Sequence, residues 1–114
     1  MAIPSGSGTE VLKLSTINTL NNTTTTVITG VANHIYIILS IVICENQNNA
    51  ERISITMNDG SNDIDLIYDT PLAAQASYVW NDKFVISGTD QLKIRSHGTS
   101  GLDVVVSYID QDWT

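Results

Sequence analysis

Apolar positions recur with a period of two along most of the chain, the spacing of side chains on half-buried strands. Val11, Leu12 and Leu14 open a strand that gives way to the polar cluster Asn18 to Thr26, and a short strand follows over Thr26 to Thr29. Residues His34 to Cys44 are rich in β-branched Ile and Val, which favour a pleated backbone, and they form the expected central strand. Under strict alternation one of its faces is aliphatic (Ile35, Ile37, Leu39, Ile41, Ile43) and the other mixed (His34, Tyr36, Ile38, Ser40, Val42, Cys44). A small domain has little with which to cover that mixed face, so a neighbouring subunit is the expected cover, with other strands or the arm of the same chain as the alternative.

Further along, Ile53, Ile55 and Met57 alternate with Arg52, Ser54 and Thr56. The turn Asn58-Asp59-Gly60-Ser61-Asn62 leads into Ile64, Leu66 and Tyr68, which makes a β-hairpin. Asp69 to Ala76, with Pro71, reads as a loop. Tyr78 with Trp80, Phe84 with Ile86, Leu92 with Ile94, and Val104 with Val106 and Tyr108 mark the remaining strands. About eight strands with turns roughly every ten residues predict an all-β sandwich, jelly-roll-like, over residues 10–114. Residues 1–9, with Pro4, Gly6 and Gly8, have no period and predict an extended N-terminal arm.

Composition narrows the function classes. A chain of 114 residues suffices for one domain that needs neither metal nor disulfide. Five Lys plus Arg against twelve Asp plus Glu give a net charge of -7, which opposes binding to nucleic acid. The longest apolar stretch, Val31 to Cys44, is too short to span a bilayer as a helix, so no membrane partner is expected. The lone Cys44 sits in that stretch and reads as a buried, inert thiol. Met1 to Thr9 has neither the basic start nor the apolar core of a signal peptide.

Candidate chemistry is sparse. Asp59, Ser61, Asp63 and Asp65 have the spacing of calcium ligands, but the EF-hand pattern places Ile64 where it needs Gly. His34, His97 and Cys44 are too scattered for a zinc site. No Gly-x-Ser-x-Gly elbow, phosphate loop or singled-out carboxylate pair occurs, so no enzyme, cofactor or metal is expected. Tyr78 and Trp80 suit either a sugar-stacking platform or the end of a core, and the core or a subunit contact is the favoured reading. Trp113 lies past the last strand and is expected against a neighbouring surface.

Three stretches resemble a group of small virion structural proteins of marine tailed bacteriophages. They are the opening Met1 to Lys13, the segment Val79-Trp80-Asn81-Asp82-Lys83 with Ser87-Gly88-Thr89-Asp90 following, and the tail Ser107 to Trp113. Leu14 departs from the basic residue expected there. The resemblance implies a non-enzymatic part of the virion, favoured as a capsid decoration or cement protein. It further implies a homo-oligomer, with a trimer favoured, that binds the phage major capsid protein or other virion proteins after assembly in the host cytoplasm. A neck or tail adaptor and a carbohydrate-binding module on a fibre are the alternatives. Residues expected at the oligomer or capsid interface are Ile3 and Pro4 on the arm, Val11, His34, Tyr36, Ile38, Val42, Trp80 and Trp113.

Overall fold

The computed structural model describes residues 9–98 and 101–113. Nine strands occur among them: β1 (Thr9–Leu20), β2 (Thr25–Thr29), β3 (His34–Glu45), β4 (Glu51–Asn58), β5 (Asp63–Leu72), β6 (Ser77–Trp80), β7 (Phe84–Ser87), β8 (Gln91–Ser96) and β9 (Leu102–Asp112). No helix is present among the described residues. The arm expected over residues 1–9 lies outside them except for Thr9, which opens β1.

The strands form two antiparallel sheets. The first has the order β1-β9-β3, with both β6 and β7 on the far side of β3, and the second has the order β2-β8-β4-β5. β6 pairs with Ile41–Cys44 and β7 with Ile35–Ile38, so the two are one strand interrupted at Asn81 to Lys83. Counted that way there are eight strands, and their alternation between sheets is that of a jelly roll. The sandwich measures 49 × 27 × 20 Å.

Local chemistry explains the connections. The Asp59 carboxylate accepts the N–H groups of Ser61 and Asn62 at 3.0 and 2.8 Å, and Gly60 takes the positive φ (97°) that closes the β4–β5 hairpin. Between β2 and β3, Gly30 donates to the Asp90 carbonyl at 2.7 Å, and a Cβ there would fall 2.5 Å from the Gly88 carbonyl oxygen. Only glycine lets the two backbones approach so closely. The segment Asp69 to Ala76, expected as a loop, instead continues β5 as far as Leu72. Pro71 is tolerated because β5 is an edge strand, where a missing N–H breaks no ladder.

The main correction concerns β3. Its pairing with β9 slips between Ile38 and Ser40, which leaves Leu39 as an extra residue in a bulge. Alternation therefore changes parity halfway along the strand: Tyr36 and Ile38 face inward before the bulge, and Ile41 and Ile43 after it. These four join Ile86, Leu102, Val104 and Val106 of the first sheet against Ile28, Ile53, Ile55, Leu72, Leu92 and Ile94 of the second. Each fully buried aliphatic side chain contributes about 1.5–3 kcal/mol of transfer free energy. Neither of the two predicted faces of β3 exists as a whole, and its core-facing side is covered by the chain itself.

Candidate functional site

The opposite side of the first sheet is the unusual surface of the molecule. On β9 the core residues Val104, Val106 and Tyr108 alternate with Val105, Ser107 and Ile109, which must point away from the second sheet. Register then carries the outward side across the sheet. Leu12, Leu14 and Thr16 of β1 lie beside Ile109, Ser107 and Val105. Ile37, Ser40 and Val42 of β3 pair with the same three residues from the other side. Val85 and Val79 complete the rows next to Ile37 and Val42.

No charged residue falls on these strand positions between Glu10 at one end and Asp103 at the other. Leu12 is 74% exposed, Leu14 67% and Val79 56%. A contiguous aliphatic face of this kind is rare on a lone soluble domain and marks an interaction surface. Its contrast with the chain's net charge of -7 is the central electrostatic fact. Two copies repel everywhere except where the acids are missing.

The residues expected at an interface are distributed unevenly. Val42 lies on the aliphatic outer face. Tyr36 and Ile38 do not, since both are sealed in the core at 8% and 0% exposure and present nothing to a neighbour. Trp80 packs from the core's edge, donates its Nε1–H to the Asp82 carbonyl at 2.8 Å and meets Phe84 edge-on. Tyr78 also packs on the core, so the two aromatics form no open sugar platform. Val11 is exposed at the start of β1 on the inward parity, opposite Asp110. Trp113 is half-buried, its backbone N–H held by the Asn33 carbonyl at 2.9 Å, and its Nε1 has no acceptor among the described residues. Ile3 and Pro4 lie outside the described residues.

His34 belongs to a charge cluster at one end of the sandwich. Asp110, 5% exposed, receives Lys13 Nζ at 2.7 Å on one oxygen and His34 Nδ1 at 2.8 Å on the other. Burial pushes the Asp110 carboxyl up, but the hydrogen bonds and charges of Lys13 and His34 together outweigh it and hold the group below its ordinary value. The cluster ties β1, β9 and β3 together. Cys44, expected buried and inert, is only half-buried, because the bulge turns its side chain to the outer face beside Ser77 and Asp103.

The outer side of the second sheet is polar. A cleft of about 350 Å³ there is walled by Thr24, Ser54, Thr56, Asp65, Tyr68 and Arg95, among others. At its rim, Ser54 Oγ accepts the Asp69 N–H at 2.9 Å and lies 2.9 Å from His97 Nε2. His97 Nδ1 is 3.6 Å from Asp69 Oδ1. The order is that of a hydrolase triad, but the last separation exceeds a hydrogen bond, and Arg52 holds the Asp69 carboxylate at 2.7 Å. Ser54 Oγ is occupied on both sides in a residue only 6% exposed. Asp69 adopts a positive φ (52°) where Tyr68 and Asp69 together stand opposite Ser54. The group therefore serves as a clamp that fixes this bulge of β5 to β4 and to the turn after β8.

Sequence reasoning missed most of the aliphatic face. Its signal was present in Val104-Val105-Val106, an unbroken apolar run of the sort that belongs to a strand covered on both sides.

No protein-family model matches the chain, and no curated protein matches it. Among solved structures, one from Bacillus endospore appendages, described as disulfide-linked pili, is similar with a TM-score of 0.57 and 15% identity over 100% of this chain and 97% of that chain. A pentameric capsid protein from metagenomic phage sequences is 20% identical at a TM-score of 0.45, over 86% of this chain and 60% of that one. A chain of infectious bursal disease virus, Gx strain, is 13% identical at 0.49, over 90% and 36%. At these identities the appendage protein shows a shared fold and nothing more, and the two viral chains are too distant to carry an argument.

Proposed function

We propose that the chain is a non-enzymatic structural part of a bacteriophage virion, a capsid decoration or cement protein that assembles in several copies, with a trimer as the favoured state. The observation that carries this reading is the charge-free aliphatic face of the first sheet on an otherwise acidic molecule. Burying Leu12, Leu14, Val79, Val85 and Val105 against another copy or the major capsid protein removes apolar surface from water and supplies the free energy of docking. A sandwich 49 Å long and 27 Å wide has room on one face for the roughly 800 Å² per partner of an ordinary stable interface. Ile3, Pro4 and Trp113 are assigned to the same assembly contacts. The acidic remainder of the surface keeps free subunits apart until they meet the correct face.

Light scattering on the purified chain tests this directly. The wild type is expected to run as an oligomer, and Leu12→Lys with Leu14→Lys to reduce it to a folded monomer. A wild-type chain that stays monomeric at high concentration and does not bind purified capsids would overturn the reading. Copy number per particle separates wide capsid coverage from a neck or tail position.

A further inference from the structure

We propose that the cleft on the outer side of the second sheet binds an acidic saccharide, a sugar carrying a single carboxylate. Its central cation is Arg95, which is exposed and has no hydrogen-bond or ion-pair partner among the described residues. Of the other four cations, Lys13, Arg52 and Lys93 face carboxylates at 2.7, 2.7 and 3.9 Å, and Lys83 lies between β6 and β7 on the first sheet, so Arg95 is, among the described residues, the one cation of this cleft whose charge is not already matched. A guanidinium fork matches a carboxylate with two parallel hydrogen bonds, and Arg95 has that fork free.

The walls suit the rest of a sugar. Thr24 lines the cleft with Arg95, and Ser54, whose hydroxyl is taken up by Asp69 and His97, forms its floor directly across the strand pair from Arg95. Asp65 receives the Thr56 hydroxyl on Oδ1 at 2.9 Å, and its other oxygen is available to a sugar hydroxyl. Tyr68 is 68% exposed, and an edge contact with His97 at 6.0 Å holds its ring in place. An aromatic ring fixed in this way offers a stacking surface at low entropic cost.

Charge and size limit the ligand further. The carboxylates of Asp63 and Asp65 in the same cleft repel a doubly charged phosphate more than a single carboxylate. About 350 Å³ lies at the small end of ligand sites, which suits one or two sugar rings and not a peptide chain. This face lies across the sandwich from the aliphatic one, so the site does not depend on the assembly reading.

The test is a two-dimensional NMR titration of the full chain with glucuronic acid and with N-acetylneuraminic acid, using glucose and acetate as controls. Saturable shifts are expected at Tyr68, Arg95 and His97 from at least one acid sugar, with both controls weaker by about tenfold or more. Arg95→Ala should abolish binding. Arg95→Lys should weaken it, because the ammonium lacks the fork, and Tyr68→Ala should weaken it by about tenfold. Both side chains are at the surface, and unchanged spectral dispersion will show that the three variants fold. The proposal is overturned if neither acid sugar gives saturable shifts at millimolar concentration, if acetate binds as tightly, or if Arg95→Ala leaves the affinity unchanged.

Discussion

Glu45 Oε2 accepts the backbone N–H of Gln75 at 2.7 Å, thirty residues along the chain, while its Oε1 accepts that of Gln47 at 2.7 Å. At 1% exposure this carboxylate ends β3 and anchors the loops on both sides of it. The Gln75 N–H above all, with that of Gln47, holds the carboxyl below the ordinary Glu range against the opposing effect of burial. A depressed native value means that the unfolded chain takes up more protons as pH falls, so the contribution is complete above the unfolded Glu value of about 4.3 and is lost below it. Asp110 and Asp59 are depressed as well and act in the same direction. Thermal midpoints measured from pH 7 to pH 3 should drop steeply in the acid range for the wild type. Glu45→Gln should be less stable at pH 7 and show a shallower drop.

Ile37 and Ile38, just before the bulge at Leu39, face opposite sides of the sheet. Ile38→Ala should cost about 2–5 kcal/mol, the range for opening a cavity in a packed core, whereas Ile37→Ala on the outer side should cost the free subunit under about 1 kcal/mol. Beyond the bulge the costly positions become Ile41 and Ile43. Deleting Leu39 would restore strict alternation and force one half of β3 to expose its core residues. Urea unfolding of the substitutions and the NMR dispersion of the deletion check this. A deletion variant with native dispersion would disprove the parity change.

Cys44 reports on the aliphatic face without perturbing it. Its half-exposed thiol should react with iodoacetamide in the free monomer and be protected when copies or capsids cover that side. Mass spectrometry of alkylated free and particle-bound protein makes the comparison. Equal labelling in both would move the interface elsewhere.

Trp113 carries a buried Nε1–H without an acceptor among the described residues. Trp113→Phe keeps an aromatic ring and removes the unsatisfied donor, so the isolated subunit should lose less than about 1 kcal/mol or gain stability. If the assembled particle supplies the acceptor, the same substitution should weaken particle binding, and pull-down on purified capsids separates the two effects.

Most of the fold was legible because alternation is local. Ile53, Ile55 and Met57, or Leu92 and Ile94, declare their side of a strand without reference to anything else. The bulge was not legible, since Leu39 differs in no chemical way from its neighbours and its extra place is imposed by the register with β9. That single residue moved Tyr36 and Ile38 into the core and turned Cys44 outward. Glu45 was hidden for a related reason: a carboxylate at the end of an apolar run looks like the start of a polar loop, and its main partner, the Gln75 N–H, lies thirty residues away. The cleft around Arg95 and Tyr68 is assembled from β4, β5 and β8 of the second sheet with Thr24 before β2 and His97 after β8, and no stretch of chain contains it.

The break at Asn81 to Lys83 bears on how many molecules can join. β1 offers an incoming backbone one long unpaired margin, but the opposite margin of that sheet is cut into two pieces, β6 and β7, of four residues each. Head-to-tail ladder growth from one molecule to the next would stall at that gap, as protected sheet margins generally ensure. Under the proposed assembly, contact through this sheet then falls to the side chains on its flat, and a self-complementary contact of that kind closes on a finite number of partners.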